Sequence, residues 1–151
     1  MSANTQASEA QLTRVLDDVL GGLAFLIRDD ETALPEGQSW WQCLGSYSGD
    51  ASGVVRCSCS RGFAAMLAQN LLGAEAGEAV DDETATDALR EFMNVLCGNL
   101  VTSIHGSTGV FDIGIPQVTE LESAPSEATM EPIRARFSIE GEPVICEYIP
   151  G

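Results

Sequence analysis

Asp87, Glu91 and Asn94 follow one another at steps of four and three residues, and Gly98 lies four residues further on. At about 100° per residue these positions share one side of a helix. Glu91 and Asn94 are then direct neighbours on its surface. A carboxylate can hold a cation, and a carboxamide both accepts a hydrogen bond from a water molecule and donates one to it. A glycine one turn beyond leaves the surface bare, so another molecule's backbone can approach. Helix geometry alone favours a plainer reading, an ordinary solvated face with a tolerated glycine. A second grouping, Cys57 and Cys59 with the lone His105, could in principle hold a metal. Its spacing is unlike the common zinc patterns.

The element that must carry the first group is a long helix over residues 83–105. Leu89, Phe92, Met93, Leu96, Cys97, Leu100 and Ile104 recur at three- and four-residue steps and form its core face. Asp87, Glu91, Asn94, Gly98, Thr102 and His105 lie opposite. Asp81 to Thr84 suit the electropositive start of such a helix. Upstream, Leu12, Val15, Leu16, Val19, Leu20, Leu23 and Leu26 predict a first helix from about Ser8 to Arg28 or Asp29. Gly21 and Gly22 fall inside it, each costing about 1 kcal/mol relative to alanine. That cost suggests a close approach to another backbone.

Between the helices, residues 40–47 and 53–59 read as strands joined at Ser48-Gly49-Asp50, which makes a hairpin. A short helix follows, marked by Phe63, Met66, Leu67, Leu71 and Leu72 and stopped by Gly73. After the long helix come a strand over 110–119 broken by Pro116, a polar loop, and a second hairpin over 133–139 and 144–149 turning at Glu140-Gly141. This order is not the alternation of a parallel α/β fold. It predicts an α+β domain, a largely antiparallel sheet packed against a long surface-exposed helix. Residues 1–7 read as a flexible tail and 8–151 as a single domain.

Composition narrows the partner. The chain has 151 residues, and seven arginines with no lysine stand against 23 acids, a formal charge of −16. That field repels nucleic acid and anionic membrane and tolerates a partner that presents cations, although acidity on its own serves solubility. The acids are scattered through loops and helix ends, unlike the clustered stripe of a nucleic-acid mimic. No apolar run is long enough to cross a membrane, and the N-terminus lacks the pattern of a secretory signal. A cytoplasmic location is the expectation. Five cysteines, none in a CxxC pair, then read as buried thiols.

Asp87-x-x-x-Glu91-x-x-Asn94, with Pro116 after 21 intervening residues, resembles the signature of the CheC/CheX/FliY chemotaxis phosphatases. The stretch from Glu91 to Asn99 is similar to the helix of CheX-like members, and the order of elements matches over about residues 8–149. CheC-type members carry two such motifs. Here the first helix offers Asp17, Asp18 and Gly22 without a Glu-x-x-Asn, so the resemblance is to a CheX-like chain with one active face. It implies a protein phosphatase acting on the phosphoaspartate of a CheY-like response regulator. Glu91 and Asn94 would be catalytic, Asn94 placing the attacking water and Glu91 pairing with the partner's lysine. Asp87 and Gly98 would serve docking. No cofactor is implied on this chain, and magnesium would belong to the partner's active site. A homodimer sharing strands is also implied, with the late strands 110–119 and 133–149 offering edges. The alternative on the same fold is a non-catalytic module that binds a receiver or a flagellar switch protein.

Overall fold

The computed structural model describes residues 9–23, 26, 39–71, 80–121, 133–139 and 141–150. The expected tail at 1–7 lies outside them. Among the described residues nine elements follow in chain order: α1 (Glu9–Leu23), β1 (Trp40–Gly49), β2 (Gly53–Ser60), α2 (Arg61–Leu71), α3 (Asp82–His105), β3 (Phe111–Ile113), β4 (Gln117–Leu121), β5 (Ile133–Ile139) and β6 (Glu142–Pro150). Every strand pairing among them is antiparallel. The α+β class expected from the sequence is therefore what the chain adopts.

The sheet runs β3-β1-β2-β6-β5, and β4 shares with β3 the same edge of β1. β3 pairs with Tyr47 to Gly49 and β4 with Trp40 to Leu44. Pro116 sits in the gap between them, where a residue without an N–H interrupts the ladder. The break expected at Pro116 thus divides the strand into two short ones. β6 is enclosed between β2 and β5, so only β5 and the β3/β4 side present edges among the described residues. Of the late strands expected to offer edges, β3, β4 and β5 do so, and β6 does not.

One face of the sheet carries Trp41, Cys43, Tyr47, Val55, Cys57, Cys59, Ala135, Phe137, Val144, Cys146 and Tyr148, all buried. The helices cover it. α3 lies over β1, where a Cβ on Gly45 would come within 2.9 Å of the Met93 side chain. Phe92 meets Phe63 of α2 edge-on at 5.7 Å between ring centroids. All five cysteines are free and buried. Burial pushes the thiol of Cys43 up to about 12 and that of Cys97 to about 11. Both are protonated thiols that pack as small hydrophobes.

On the opposite face, Arg56, Glu147 and Arg134 stand in register across β2, β6 and β5. Glu147 accepts from Arg56 Nε at 2.7 Å and from Arg134 Nη2 at 2.8 Å. Burial alone would raise this carboxyl, but the two guanidinium groups outweigh it and hold Glu147 below the usual carboxylate range.

α1 ends at Leu23, short of the expected Arg28 or Asp29. The Leu26 N–H turns back to the Leu20 carbonyl at 2.9 Å, a closure typical of a helix C-terminus. Gly21 and Gly22 mark no close approach among the described residues, of which a Cβ at either would meet none within 4 Å. They fall in the last turn, and their low helix propensity suits the end of the helix. α2 starts two residues before Phe63 and ends at Leu71. Gly73, its expected stop, lies outside the described residues.

Candidate functional site

α3 is fixed at both ends. Asp81 caps its start, the side chain accepting from Thr84 N at 2.8 Å, and Asp82 and Glu83 occupy the first turn. Gly106, at φ 84°, ends it by donating its N–H to the Thr102 carbonyl. Ala85, Ala88, Leu89, Phe92, Met93, Leu96, Cys97, Leu100, Val101 and Ile104 form the buried stripe. This stripe locks the rotation of the helix, so the opposite positions must face outward.

Glu91 and Asn94 are exposed there. Among the described residues neither makes a hydrogen bond or ion pair, whereas their polar neighbours are tied to the helix itself. Asp87 pairs with Arg90 at 3.1 Å. The Asn99 amide donates to the Val95 carbonyl at 2.8 Å, and the Thr102 hydroxyl to the Gly98 carbonyl at 3.1 Å. A free carboxylate and a free carboxamide therefore stand side by side. Gly98 continues this face. Among the described residues, a Cβ placed on it would meet only Ile113 Cδ1, at 3.5 Å.

His105, expected on the same polar side, is half-buried and engaged. Its Nε2 lies 2.8 Å from the Tyr47 hydroxyl, which is 2.6 Å from that of Tyr148. Its ring stacks on Phe111 at 5.3 Å. This chain of contacts anchors the C-terminus of α3 to β1, β3 and β6. Among the described residues no three His, Cys, Asp or Glu side chains are placed to hold one metal ion.

Two features flank the face that the helical pattern does not announce. On one side, Ile113 and Ile115 are exposed at 38% and 81%. On the other, a groove of about 370 Å³ opens between α1 and α3, lined by Arg14 and Asp18 and by Gly98, Asn99, Thr102 and Ser103. Gln11 holds its end closed by donating to the Ser103 carbonyl and hydroxyl at 2.9 Å. The apolar residues could have been suspected from the alternation of Phe111, Ile113 and Ile115. The groove could not, because it depends on how two helices distant in sequence pack. No helix among the described residues is long and apolar enough to cross a membrane.

The family model for the chemotaxis phosphatase CheX matches residues 42–138, more than half of the chain, and spans α3 and all four of these site residues. Among solved structures, the chemotaxis protein CheX from Vibrio vulnificus is 21% identical with a TM-score of 0.72, over 97% of this chain and 100% of that one. The CheX of a CheX-CheY-BeF3-Mg complex from Borrelia burgdorferi is 19% identical with a TM-score of 0.69, over 95% and 97%. Thermotoga maritima FliY is 17% identical with a TM-score of 0.56, over 95% and 89%. At these identities the structures establish a shared fold. No curated protein sequence matches.

Proposed function

The chain belongs to the chemotaxis phosphatase CheX family, and from that premise we propose that it hydrolyses the phosphoaspartate of a CheY-like receiver, using Glu91 and Asn94. The observation that carries the reading is the pair of free side chains on a rigid helix. Glu91 and Asn94 are exposed and unpartnered among the described residues, while the adjacent Asp87, Asn99 and Thr102 are already bonded.

An acyl phosphate is reactive, so the main task is to place a water in line with the phosphorus–oxygen bond. Positioning and electrostatics dominate such transfers. The Asn94 carboxamide holds the water, its oxygen accepting one of the water's hydrogens. Water attacks phosphorus, the partner's aspartate leaves as carboxylate, and inorganic phosphate is released. Glu91 pairs with the partner's lysine and sets the approach. Gly98 lets the partner's surface lie close to α3. Asp87 acts through Arg90, with which it is paired, as a docking residue at the edge of the face. The magnesium needed by the phosphoryl group belongs to the receiver.

The test is the lifetime of a phosphorylated receiver with and without the chain. Accelerated loss of phosphate supports the reading. Binding to phosphorylated receivers without acceleration would replace it by the non-catalytic module.

A further inference from the structure

Arg14 stands out on the wall of the groove between α1 and α3. Among the described residues its guanidinium makes no ion pair or hydrogen bond, in a chain with 23 acids against seven arginines. Arg56, Arg61, Arg90 and Arg134 are all in ion pairs, and Arg136 is also engaged. Asp18 lines the same groove, four residues along α1, yet the two do not pair.

The position of Arg14 relative to Asn94 decides what it can do. It lines the groove with Asn99 and Thr102, which lie five and eight residues beyond Asn94. At 1.5 Å per residue that is about 8–12 Å along α3. A protein interface of ordinary size covers about 800 Å² per partner, a disc of roughly 16 Å radius. With about 8–10 Å between packed helix axes added, Arg14 lies roughly 11–16 Å from Asn94, so a receiver centred on Asn94 reaches it toward the rim of the contact. A guanidinium stripped of water without a counter-charge is costly. Asn99 and Thr102 beside it supply only neutral oxygens, and the Asp18 carboxylate in the same groove leaves the guanidinium unpaired.

We infer that Arg14 is a second docking residue, which receives an aspartate or glutamate side chain from the surface of the receiver. This rests on the phosphatase reading for the identity of the partner. It adds a polarity to the footprint. Glu91 lies on the N-terminal side of Asn94 along α3 and takes a cation, while Arg14 lies toward the C-terminal side and takes an anion. A receiver bound the other way round would set like charges against each other at both ends, which fixes a single docking direction.

The experiment compares wild type, Arg14→Glu, Arg14→Gln and Asn94→Ala. The probe is the CheY-type receiver that wild type dephosphorylates, for binding in its magnesium- and beryllofluoride-loaded form and for hydrolysis in its phosphorylated form. Arg14→Glu should raise Kd about tenfold or more at about 50 mM salt, and Arg14→Gln less. The difference should shrink at about 0.5 M salt, where charges are screened beyond roughly 4 Å. The loss should fall on the half-saturating receiver concentration and not on kcat. Changing one acidic receiver residue to lysine should restore Arg14→Glu. Wild-type binding by Arg14→Glu at low salt, with hydrolysis lost in Asn94→Ala, would overturn the inference and leave the phosphatase reading standing. Weakened binding by Arg14→Glu, with Asn94→Ala as active as wild type, would sink the assigned catalysis and keep the docking role. A fall in kcat with unchanged Kd would also overturn it.

Discussion

Replacing Gly98 with alanine should strengthen α3, and replacing it with leucine should close its working face. Among the described residues a Cβ at Gly98 meets only Ile113 Cδ1 at 3.5 Å, ordinary van der Waals contact, and the backbone there is regular helix. Alanine therefore gains the helix propensity that glycine lacks, about 1 kcal/mol, without strain. For a chain of this length that corresponds to a rise in Tm of roughly 2–4 °C. Leucine has nearly the same propensity, so Gly98→Leu should also fold stably. Its side chain, however, stands one turn from Asn94 in the path of the partner. A shift of the docked receiver by about 1 Å is enough to cost about 10²-fold in rate. Thermal melts and receiver dephosphorylation, run on both variants, separate the two effects. A destabilised Gly98→Ala would refute the account of open space at this position. Full activity in Gly98→Leu would refute the role of the bare surface in docking.

Glu147→Gln should destabilise the sheet at pH 7 by about 2 kcal/mol. Removing one member of a buried ion pair typically costs 3–5 kcal/mol, and the residual exposure of Arg56 and Arg134, 24% and 20%, lowers the figure. The carboxyl is held below its ordinary value, so its stabilisation is complete above the unfolded value of about 4.3 and is lost as pH falls through the lower folded value. Urea unfolding should show the gap between wild type and variant closing in acid, and a gap that does not change with pH would contradict the ion-pair account. Glu91→Ala should act on binding, raising the half-saturating receiver concentration several-fold at low salt with a smaller effect at high salt. Steady-state hydrolysis at two ionic strengths measures it, and a loss confined to kcat would assign Glu91 to the chemical step instead.

The face that carries Glu91 and Asn94 was legible because α3 is long, periodic and capped. Twenty-four residues with one apolar stripe leave a single rotation that buries Phe92, Leu96 and Leu100, and the outward positions follow from it. Short-range glycine signals also located the hairpins, although Ser48 and Gly49 belong to β1 and the first reversal falls at residues 50–52; Gly49 and Gly141 both adopt positive φ. Gly21 and Gly22 misled because glycine in a helical pattern marks either a close packing or an approaching end, and one strand of sequence does not distinguish them. The order of the sheet was not legible. Nothing local tells β6 that it lies between β2 and β5, and the Arg56–Glu147–Arg134 row exists only once three strands are in register. Arg14 was hidden for the same reason. It reads as one polar residue on the exposed side of α1, and its meaning comes from the groove that α1 forms with the far end of α3.

The account stands most directly on Asn94. A cognate receiver is phosphorylated and freed of excess phosphodonor, and loss of its phosphate is followed with wild type, with Asn94→Ala and with no added protein. Asn94 is exposed and makes no contact that the fold needs, so the variant should melt like wild type within about 0.5 kcal/mol. It should still bind the receiver, yet its rate should fall about 10²-fold or more, toward that of the receiver alone. Equal hydrolysis by wild type and Asn94→Ala would contradict the account.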